Sequence, residues 1–576
     1  MLDQLPSESE DEDDTYDVVL EPPTENPFAQ SDEDSDLSHA EATSDVIRLP
    51  GRILRSAAML NRHELEISSD VQNSSMLTEN QGSSKRKKNF RKWNKKSAEV
   101  AIDLPSVTTD NDISHPSRDS PLACFEKVFP REIVEHIVEQ TKRYSMQKGR
   151  NVNVTIHEVL GIIGLMIYSG YKSIHGKEML WSSDEDVCLQ WAKDLMPKNR
   201  FKDIFRDLHL ADNTSLNPED PYYKVRPFFE MLNDSFRKSL PLDENLSVDE
   251  IMVPYFGRHG TKQFIRGKPI RYGYKIWALA SSKGYIYQVE PYCGKMTNLE
   301  TTGKGQGYDV VMGLLKKADV PGGKRIFFDN LFTSLDLLDE LSSMNIGGCG
   351  TMRENRLGGA PITNKKIFEK LSRGTSEHMS DGKTLLVRWN DNKAVTVCTN
   401  FVPLDPHFET PRYVKKEGGH VRVRIPGPLH AYNQYMGGVD LFDQCLSNYR
   451  CSMRSKKWWW PLFQWGVDAA RTNSWFIHRR TIRGGKQLPF IRELAKVLIK
   501  KNTVPRPAHH ARYRRPSGVQ DDVRFDMMNH WPKVMESRYH RCQQCGNRTQ
   551  FACEKCNVPL HPICFQPYHN PAAADA

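Results

Sequence analysis

Basic residues are missing from the start of the sequence. No Lys or Arg occurs before Arg48, whereas Asp and Glu are frequent in that stretch. The formal net charge of +8 over 576 residues therefore understates the basic excess of the rest of the chain. A basic body of this kind is typical of proteins that bind a polyanion such as nucleic acid.

Long hydrophobic runs are also missing. The longest apolar stretch covers residues 159–168. It is well short of the roughly 20 residues that cross a bilayer as a helix. We therefore expect a buried helix at this place, and neither a membrane span nor a membrane partner.

The third absence is a disulfide pattern. Of the 12 Cys, seven are scattered singly and five lie between Cys542 and Cys564. The first residues do not have the form of a signal peptide, with its basic start and apolar centre. We therefore expect reduced thiols in an intracellular protein.

The first 118 residues have few aromatic side chains and no apolar periodicity. This composition predicts a disordered tail, acidic at first and then basic. The basic part contains Lys85, Arg86, Lys87 and Lys88. Such a run is typical of a nuclear localisation signal or a nucleic-acid contact, and a solvated linker is the alternative. We predict a nuclear protein.

Hydrophobic periodicity in the remainder predicts a multidomain α/β protein. Apolar residues recur at helical spacing after Pro121, and Thr155 is a candidate N-cap. From Leu246 onwards, three consecutive strands precede helix, strand, helix and strand, which is the order of a ribonuclease H-like core. The predicted parts are a tail at 1–118, a helical dimerisation or DNA-binding domain at 119–245, the ribonuclease H-like core at 246–352 and 429–482, a mainly β insertion at 353–428, a basic linker at 483–523 and a small Cys/His zinc-binding domain at 524–570.

Four carboxylates lie in segments of this core that are distant in sequence. They are Asp249 within the first strand, Asp329 directly after an apolar strand, and Asp440 and Asp443 after a pair of glycines that lets a helix start approach closely. Open α/β sheets keep their sites at the carboxyl ends of strands. Carboxylate oxygens suit Mg²⁺, and two ions about 4 Å apart serve phosphoryl transfer. A single strand-end Asp is more often a cap or an ion-pair partner, so the prediction requires that these segments meet.

Basic and aromatic side chains alternate after the first of these carboxylates. The basic ones, which are candidate DNA contacts, are Lys262, Arg266, Lys268, Arg271 and Lys275. This mixture offers phosphate contacts and stacking surfaces, and a solvated hairpin is the alternative. Lys456 and Lys457 are further candidates, although the helical spacing of the adjacent tryptophans (458–460) predicts core packing.

A segment near the end of the sequence has the spacing of a zinc module. Its clear ligands are Cys542, Cys545, Cys553, Cys556, His561, Cys564 and His569. Thiolate and imidazole pairs at this spacing are the usual ligands of tetrahedral structural Zn²⁺. Two ions in a cross-braced arrangement need eight ligands, and the eighth is either His530 or His540.

Several longer motifs resemble those of a known family. They include Ser247-Val-Asp-Glu250, Phe328-Asp-Asn-Leu-Phe-Thr-Ser334, Gly350-Thr-Met-Arg353 and Tyr432-Asn-Gln-Tyr-Met-Gly-Gly-Val-Asp440. In this order they resemble the piggyBac-type transposases, and most of all the vertebrate piggyBac-derived proteins. The resemblance extends from about Phe125 to His569.

The resemblance implies a metal-dependent DNA-processing site. Asp249, Asp329 and Asp440 would be the catalytic triad, with Asp443 as an assisting carboxylate and two Mg²⁺ ions as cofactors. The implied reactions are nicking, hairpin formation at transposon ends and strand transfer into TTAA target sites. The resemblance also favours His530 as the eighth ligand in a module with two Zn²⁺ ions that recognises transposon-end DNA.

Three functions from different classes compete. The first is an active DNA transposase working as a homodimer on double-stranded DNA, with no small-molecule substrate. The second is a domesticated nuclear DNA- or chromatin-binding protein that keeps the fold without transposition. The third, a RING-like ubiquitin ligase, leaves the carboxylates and the basic hairpin unexplained. The three intact Asp positions favour the first.

Overall fold

The computed structural model divides the chain into residues 1–503 and residues 504–576, two units that are described separately. It describes residues 17–20, 58–61, 91–104, 119–174, 176–182, 188–215, 217–265, 268, 270–414, 419–481, 485–503, 521–535 and 540–570. Within these ranges, no helix is long and apolar enough to span a bilayer.

Helices fill residues 121–239 of the first unit, as the periodicity predicted. Thr155 caps one of them, because its side chain accepts a hydrogen bond from the N–H of Glu158 while the Glu158 carboxylate accepts one from the Thr155 N–H. This reciprocal pair satisfies N–H groups that have no partner inside the helix. The apolar run 159–168 lies in the same helix and is almost entirely buried. The helices are α1 Pro121–Val128, α2 Arg131–Gln147, α3 Ile156–Tyr171, α4 Gln190–Leu195, α5 Lys198–Asp207 and α6 Arg226–Ser239.

A mixed sheet forms the centre of the first unit. Its core elements are β3 Asn245–Pro254, β4 Gln263–Phe264, β5 Tyr272–Ser281, β6 Ile286–Pro291, α7 Gln306–Lys317, β7 Arg325–Phe328, α8 Leu335–Ser343 and β8 Gly347–Thr351. Strand β3 pairs antiparallel with β5 and parallel with β7. Strand β6 continues the sheet beyond β5, and β8 continues it beyond β7. Apart from the two-residue strand β4, the order is the predicted one: three strands followed by helix, strand, helix and strand.

The first part of the segment predicted as an insertion adds strands to this central sheet, and the last part forms a sheet of its own. Strands β9 Ser376–Ser380, β10 Leu385–Asn390 and β11 Ala394–Thr399 are antiparallel, and β11 pairs with β8. They cover an edge of β8 that would otherwise expose unpaired backbone groups. Only β12 Phe408–Val414 and β13 Gly419–Ile425 form a separate two-stranded sheet, which we call the ribbon.

Part of the predicted disordered tail is ordered against this sheet, so that prediction is wrong for residues 91–104. Asn94 forms an antiparallel bridge with Ser380 at the outer edge of β9, and Ile102 is buried. The Arg91 guanidinium forms ion pairs with Asp339 and Asp381. Further upstream, β1 Asp17–Leu20 and β2 Ala58–Asn61 pair with each other, and β1 also pairs with β4.

The first unit is completed by helices that return to its core. They are α10 Gly427–Tyr435, α11 Gly438–Ser447, α12 Trp460–Thr481 and α13 Gln487–Lys501. Helix α13 lies within what was predicted as a linker at 483–523, and that prediction is wrong for the residues of this helix. The face of α13 that includes Phe490, Leu494 and Leu498 is buried, because it packs in the same hydrophobic core as the N-terminal helices and the sheet.

The second unit has little regular structure and a small apolar core. Its elements are α14 Asp521–Arg524, β14 Pro532–Val534, β15 His540–Arg541, β16 Arg548–Thr549, β17 Phe551–Cys553 and α15 Phe565–His569. Strand β14 pairs with β17, and β15 pairs with β16. Its buried apolar side chains, such as Leu560 and Tyr568, lie among buried cysteines. So small a core is not expected to be stable by itself.

Candidate active site

Asp249 of strand β3 lies near Asp329, the residue that follows strand β7. The parallel register pairs Val248 of β3 with Phe328 of β7, and each of these residues is followed by an Asp; the charge of Asp329 acts on Asp249. Residues at equal register in neighbouring parallel strands lie about 4.8 Å apart and point to the same face. The two carboxylates therefore share one face at the carboxyl end of β7, where open α/β sheets keep their sites.

The turn after β7 fixes Asp329. Its Oδ1 accepts a 2.8 Å hydrogen bond from the N–H of Leu331, and its carbonyl accepts a 2.7 Å bond from the hydroxyl of Thr333. Arg356 donates to the carbonyls of Asn330, Leu331 and Thr333. Hydrogen bonds to the backbone and side chains of this turn therefore hold the carboxylate in place.

Helix α11 brings the third segment to the same face of β3. Gly438 is buried near its start, and a Cβ there would lie 2.5 Å from Oγ of Ser247 and 2.1 Å from a backbone oxygen of β5. Ser247 and Asp249 point to the same face because side chains alternate along a strand. The close approach predicted from the glycine pair is confirmed. Asp440 is exposed, and the charge of Lys268 interacts with Asp249, Asp440 and Asp443.

In the protein without a metal ion, burial and mutual repulsion disfavour the charged form of these carboxylates. Burial raises the pKa of Asp249 well above its usual range, and the neighbouring charges of Glu250 and Asp329 add to the increase. Burial also raises the pKa of Asp329 and of Asp443. Carboxylates that are desolvated and gathered in this way are stabilised in their charged form by a bound cation. The donor set consists of oxygens, which fits Mg²⁺.

Lys268 lies beside these carboxylates, and its ion-pair partner Glu250 was not among the candidates from the sequence. Its ammonium lies 3.2 Å from Oε1 of Glu250, and its charge opposes the rise in the pKa of Asp249, Asp329 and Asp443. The sequence had placed Lys268 among the DNA contacts. The available signal for Glu250 was its position directly after Asp249.

The structure uses Lys457 inside the fold, which argues against its predicted contact with DNA. The side chain is buried, and its ammonium donates to the carbonyls of Phe205, Arg206 and Leu208 at distances between 2.8 and 3.0 Å. These carbonyls lie at the end of helix α5 and hold the charge inside the fold. The neighbouring tryptophans (458–460) are also buried, which confirms the predicted core packing.

The other predicted DNA contacts differ in exposure. Arg271 and Lys456 are exposed, whereas Lys262 and Lys275 are half-buried. The Lys275 ammonium lies 4.0 Å from the centre of the Trp277 ring, so part of its charge is already used inside the sheet. Outside the described residues lie Arg266 and the predicted nuclear localisation run Lys85, Arg86, Lys87 and Lys88.

The second unit gathers eight Cys and His side chains into two groups. Within each group, one potential ligand atom per residue lies within 4.8 Å of all the others. One group contains His530, Cys553, Cys556 and His569, and the other contains Cys542, Cys545, His561 and Cys564. The groups alternate along the chain, as in the predicted cross-brace. The structure brings His530 into a group, and not His540.

The histidines of both groups turn one ring nitrogen towards the thiols and bind the other elsewhere. His561 has Nδ1 3.3 Å from Sγ of Cys545 and Nε2 2.9 Å from the carbonyl of Arg548. His569 has Nδ1 2.9 Å from the carbonyl of Arg524, and among the described residues its buried Nε2 has no hydrogen-bond partner. Metal-ligating histidines are oriented in this way by a second hydrogen bond, so both groups fit Zn²⁺.

Comparisons with known proteins point to one family. A family model described as "Transposase IS4" matches residues 120–475. The human "PiggyBac transposable element-derived protein 3" is 34% identical over 574 residues, which is 96% of each chain. The human "PiggyBac transposable element-derived protein 2" is 32% identical over 456 residues, covering 78% of this chain and 76% of the relative.

A solved structure supports the fold. The cryo-EM structure of a piggyBac transposase synaptic complex with hairpin DNA matches with a TM-score of 0.57 and 21% sequence identity. The match covers 79% of this chain and 99% of the other. At this identity the likeness concerns the fold alone.

Proposed function

The chain belongs to the transposase IS4 family in its piggyBac-type branch, and we propose on this basis that it is a DNA transposase that nicks DNA, forms hairpins at transposon ends and transfers strands into TTAA target sites. The observation that supports the proposal is the parallel register of Val248 in β3 with Phe328 in β7, the residues directly before Asp249 and Asp329, together with the close approach of the α11 start to β3 at Gly438. The proposed core fold is ribonuclease H-like.

Asp249, Asp329 and Asp440 are the proposed holders of two Mg²⁺ ions, with Asp443 as an assisting carboxylate. When bound, such a pair of ions activates the attacking oxygen and stabilises the leaving oxygen. The chain itself fixes the geometry: the turn after β7 immobilises Asp329, and the α11 start is locked against β3. Lys268 supplies positive charge beside these carboxylates.

The second unit is proposed to hold two structural Zn²⁺ ions and to recognise transposon-end DNA. Its support is the donor set of eight side chains in two interleaved groups. We further propose that the protein acts as a homodimer in the nucleus, because two transposon ends have to be processed together. The duplex DNA partner agrees with the complex in which the structural neighbour was solved.

The test is cleavage of a duplex that carries the element's own terminal repeat next to TTAA. With Mg²⁺, the wild-type protein is expected to give nicked and hairpin products. Asp329→Ala should lose them by at least a hundredfold, because a ligand of the reacting ions is gone. Asp336→Ala is the matched control, since Asp336 is exposed on the adjacent helix, and it should cleave as wild type does.

A domesticated DNA-binding protein is the second candidate. The observation that favours it is the name of the human relatives, which describes them as transposable element-derived. Wild-type protein that binds the duplex and gives no Mg²⁺-dependent product would support this candidate and overturn the proposed transposase activity. Terminal inverted repeats and flanking TTAA around the coding sequence would argue for the transposase.

A further inference from the structure

The segment at 353–428 has an excess of basic residues. It carries 14 Lys and Arg against 8 Asp and Glu. No partner was predicted for this segment from its sequence. Within this segment, the ribbon carries exposed basic residues on one of its two faces.

The two faces of the ribbon have opposite characters. On β13, Val423 and Ile425 are buried, while His420, Arg422 and Arg424 are exposed. Because side chains alternate along a strand, the three basic residues share the outer face. The antiparallel register also places Tyr413 of β12 on this face, opposite His420, and its side chain is 59% exposed.

The arginines of the outer face form few interactions with other residues of the protein. Arg422 is 81% exposed, and its ion pair at 3.2 Å is with Glu409, which is itself 61% exposed; such a pair contributes little. Among the described residues the Arg424 side chain has no ion pair or hydrogen bond. By contrast, Arg412 on the inner face is held by Asp391 at 2.9 Å. The outer charges are therefore available to a partner.

The geometry of this face suits the backbone of a DNA duplex. Side chains two residues apart along a strand are separated by about 6.8 Å. Each DNA strand carries one phosphate per about 3.4 Å of helix axis, so neighbouring side chains of this face can reach separate phosphates of one strand. A two-stranded β-ribbon is narrow enough to enter the major groove. The exposed Tyr413 ring adds a surface for contact with sugars or bases.

We propose that the outer face of the ribbon, consisting of Tyr413, His420, Arg422 and Arg424, binds duplex DNA mainly through its phosphates. This inference rests on the proposed function only in expecting duplex DNA as the partner. It adds a DNA-binding surface outside the carboxylate region and outside the Cys/His unit. Phosphate contacts do not depend on base sequence, so the ribbon contributes affinity and orientation rather than recognition of the transposon end.

The test measures how salt weakens binding of the full-length protein to a labelled duplex of arbitrary sequence, without divalent metal. Removing two phosphate contacts in Arg422→Ala/Arg424→Ala should reduce the slope of log K against log[salt] by about 1.8. Affinity at low salt should fall about tenfold or more. The control is Arg131→Ala/Lys316→Ala, which removes two exposed cations that are each paired with an exposed Glu; its slope should equal that of wild type.

An unchanged slope in the ribbon variant, with an unchanged melting temperature, would overturn the proposal. If that variant instead makes the acidic residues before Arg48 more sensitive to protease, the ribbon binds this segment of the same chain rather than DNA. The assay does not require cleavage, so its outcome is independent of the transposase activity. Asp329→Ala should keep the wild-type slope, whereas it should lose cleavage in the assay described above.

Discussion

At the scale of single residues, the carboxylates of the proposed active site are kept together at a cost in stability. Asp249 is buried on a strand with Glu250 next to it in sequence and Asp329 next to it in space. In the protein without divalent metal, the charged form of Asp249 is therefore disfavoured. Such a destabilisation is common at cation-binding sites, because the bound ion stabilises the charged carboxylates that the fold alone destabilises.

Asp249→Asn should make the metal-free protein more stable at pH 7. The pKa of Asp249 is raised in the folded chain, so its contribution to stability is complete below the ordinary Asp pKa of about 3.9 and is lost as the pH rises through the folded value. We expect a gain of about 1 kcal/mol at pH 7, measured by thermal or urea unfolding. The gain should shrink towards pH 4, and a variant that is less stable than wild type at pH 7 would contradict this account.

His530 and His540 should differ in their effect on zinc content. His530 lies in a group of four ligands and His540 does not. We expect two Zn²⁺ per chain in wild type and in His540→Ala, and about one in His530→Ala. Metal analysis of dialysed protein gives the numbers, and equal zinc content in the two variants would contradict the assignment.

Residue types and motifs predicted candidate carboxylates and thiols, but not which charged neighbours lie beside them. Asp249, Asp329 and Asp440 could be singled out because each follows or lies in a recognisable segment. Lys457 could not be judged, since its use by three backbone carbonyls depends on a contact with helix α5, about 250 residues away in sequence.

At the scale of elements, the proposed site depends on the close packing of helix α11 against the sheet, because this helix carries Asp440 and Asp443. Gly438 should not tolerate a side chain, because a Cβ would lie 2.1 Å from a backbone oxygen of β5. Gly438→Ala is expected to lower stability by about 1–3 kcal/mol and to reduce cleavage.

Gly437→Ala is the control for this change. The neighbouring glycine has no atom within 4 Å of its hypothetical Cβ and an ordinary negative φ of −72°. It should unfold and cleave like wild type. If the two variants behave alike in urea unfolding, the close contact of α11 with β3 and β5 is not what holds the helix.

Periodicity predicted the helices and strands of the core better than it predicted which strands pair and which helices pack together. The strands that became β9, β10 and β11 could be read as β structure, yet nothing local shows that β11 pairs with β8. Helix α13 was missed because basic composition dominated the predicted linker. Its buried stripe is explained by long-range packing against α3, where Gly164 would place a Cβ 2.9 Å from Ile499.

At the scale of the whole molecule, the two units depend on different forces. The first has a continuous hydrophobic core that includes the helices and the sheet, whereas the second has a small apolar cluster among its Cys and His side chains. A structure of the second kind folds only with its metal.

Removing zinc should therefore unfold the second unit and spare the first. After treatment of the full-length protein with a strong zinc chelator, protease should cut residues 521–570 rapidly while residues 121–503 remain protected. Return of zinc should restore the protection. Simultaneous digestion of both units, or resistance of the second unit without zinc, would contradict the separate stability of the two units.

The central claim is that carboxylates from distant segments act together as ligands of the catalytic ions. The most direct measurement is cleavage of the transposon-end duplex by Asp440→Cys, in Mg²⁺ and in Mn²⁺. A thiolate is a poor ligand for Mg²⁺ and a better one for softer transition metals. The account predicts loss of cleavage in Mg²⁺ and substantial recovery in Mn²⁺. Cleavage at the wild-type rate in Mg²⁺ would show that Asp440 holds no catalytic ion, and would contradict the account.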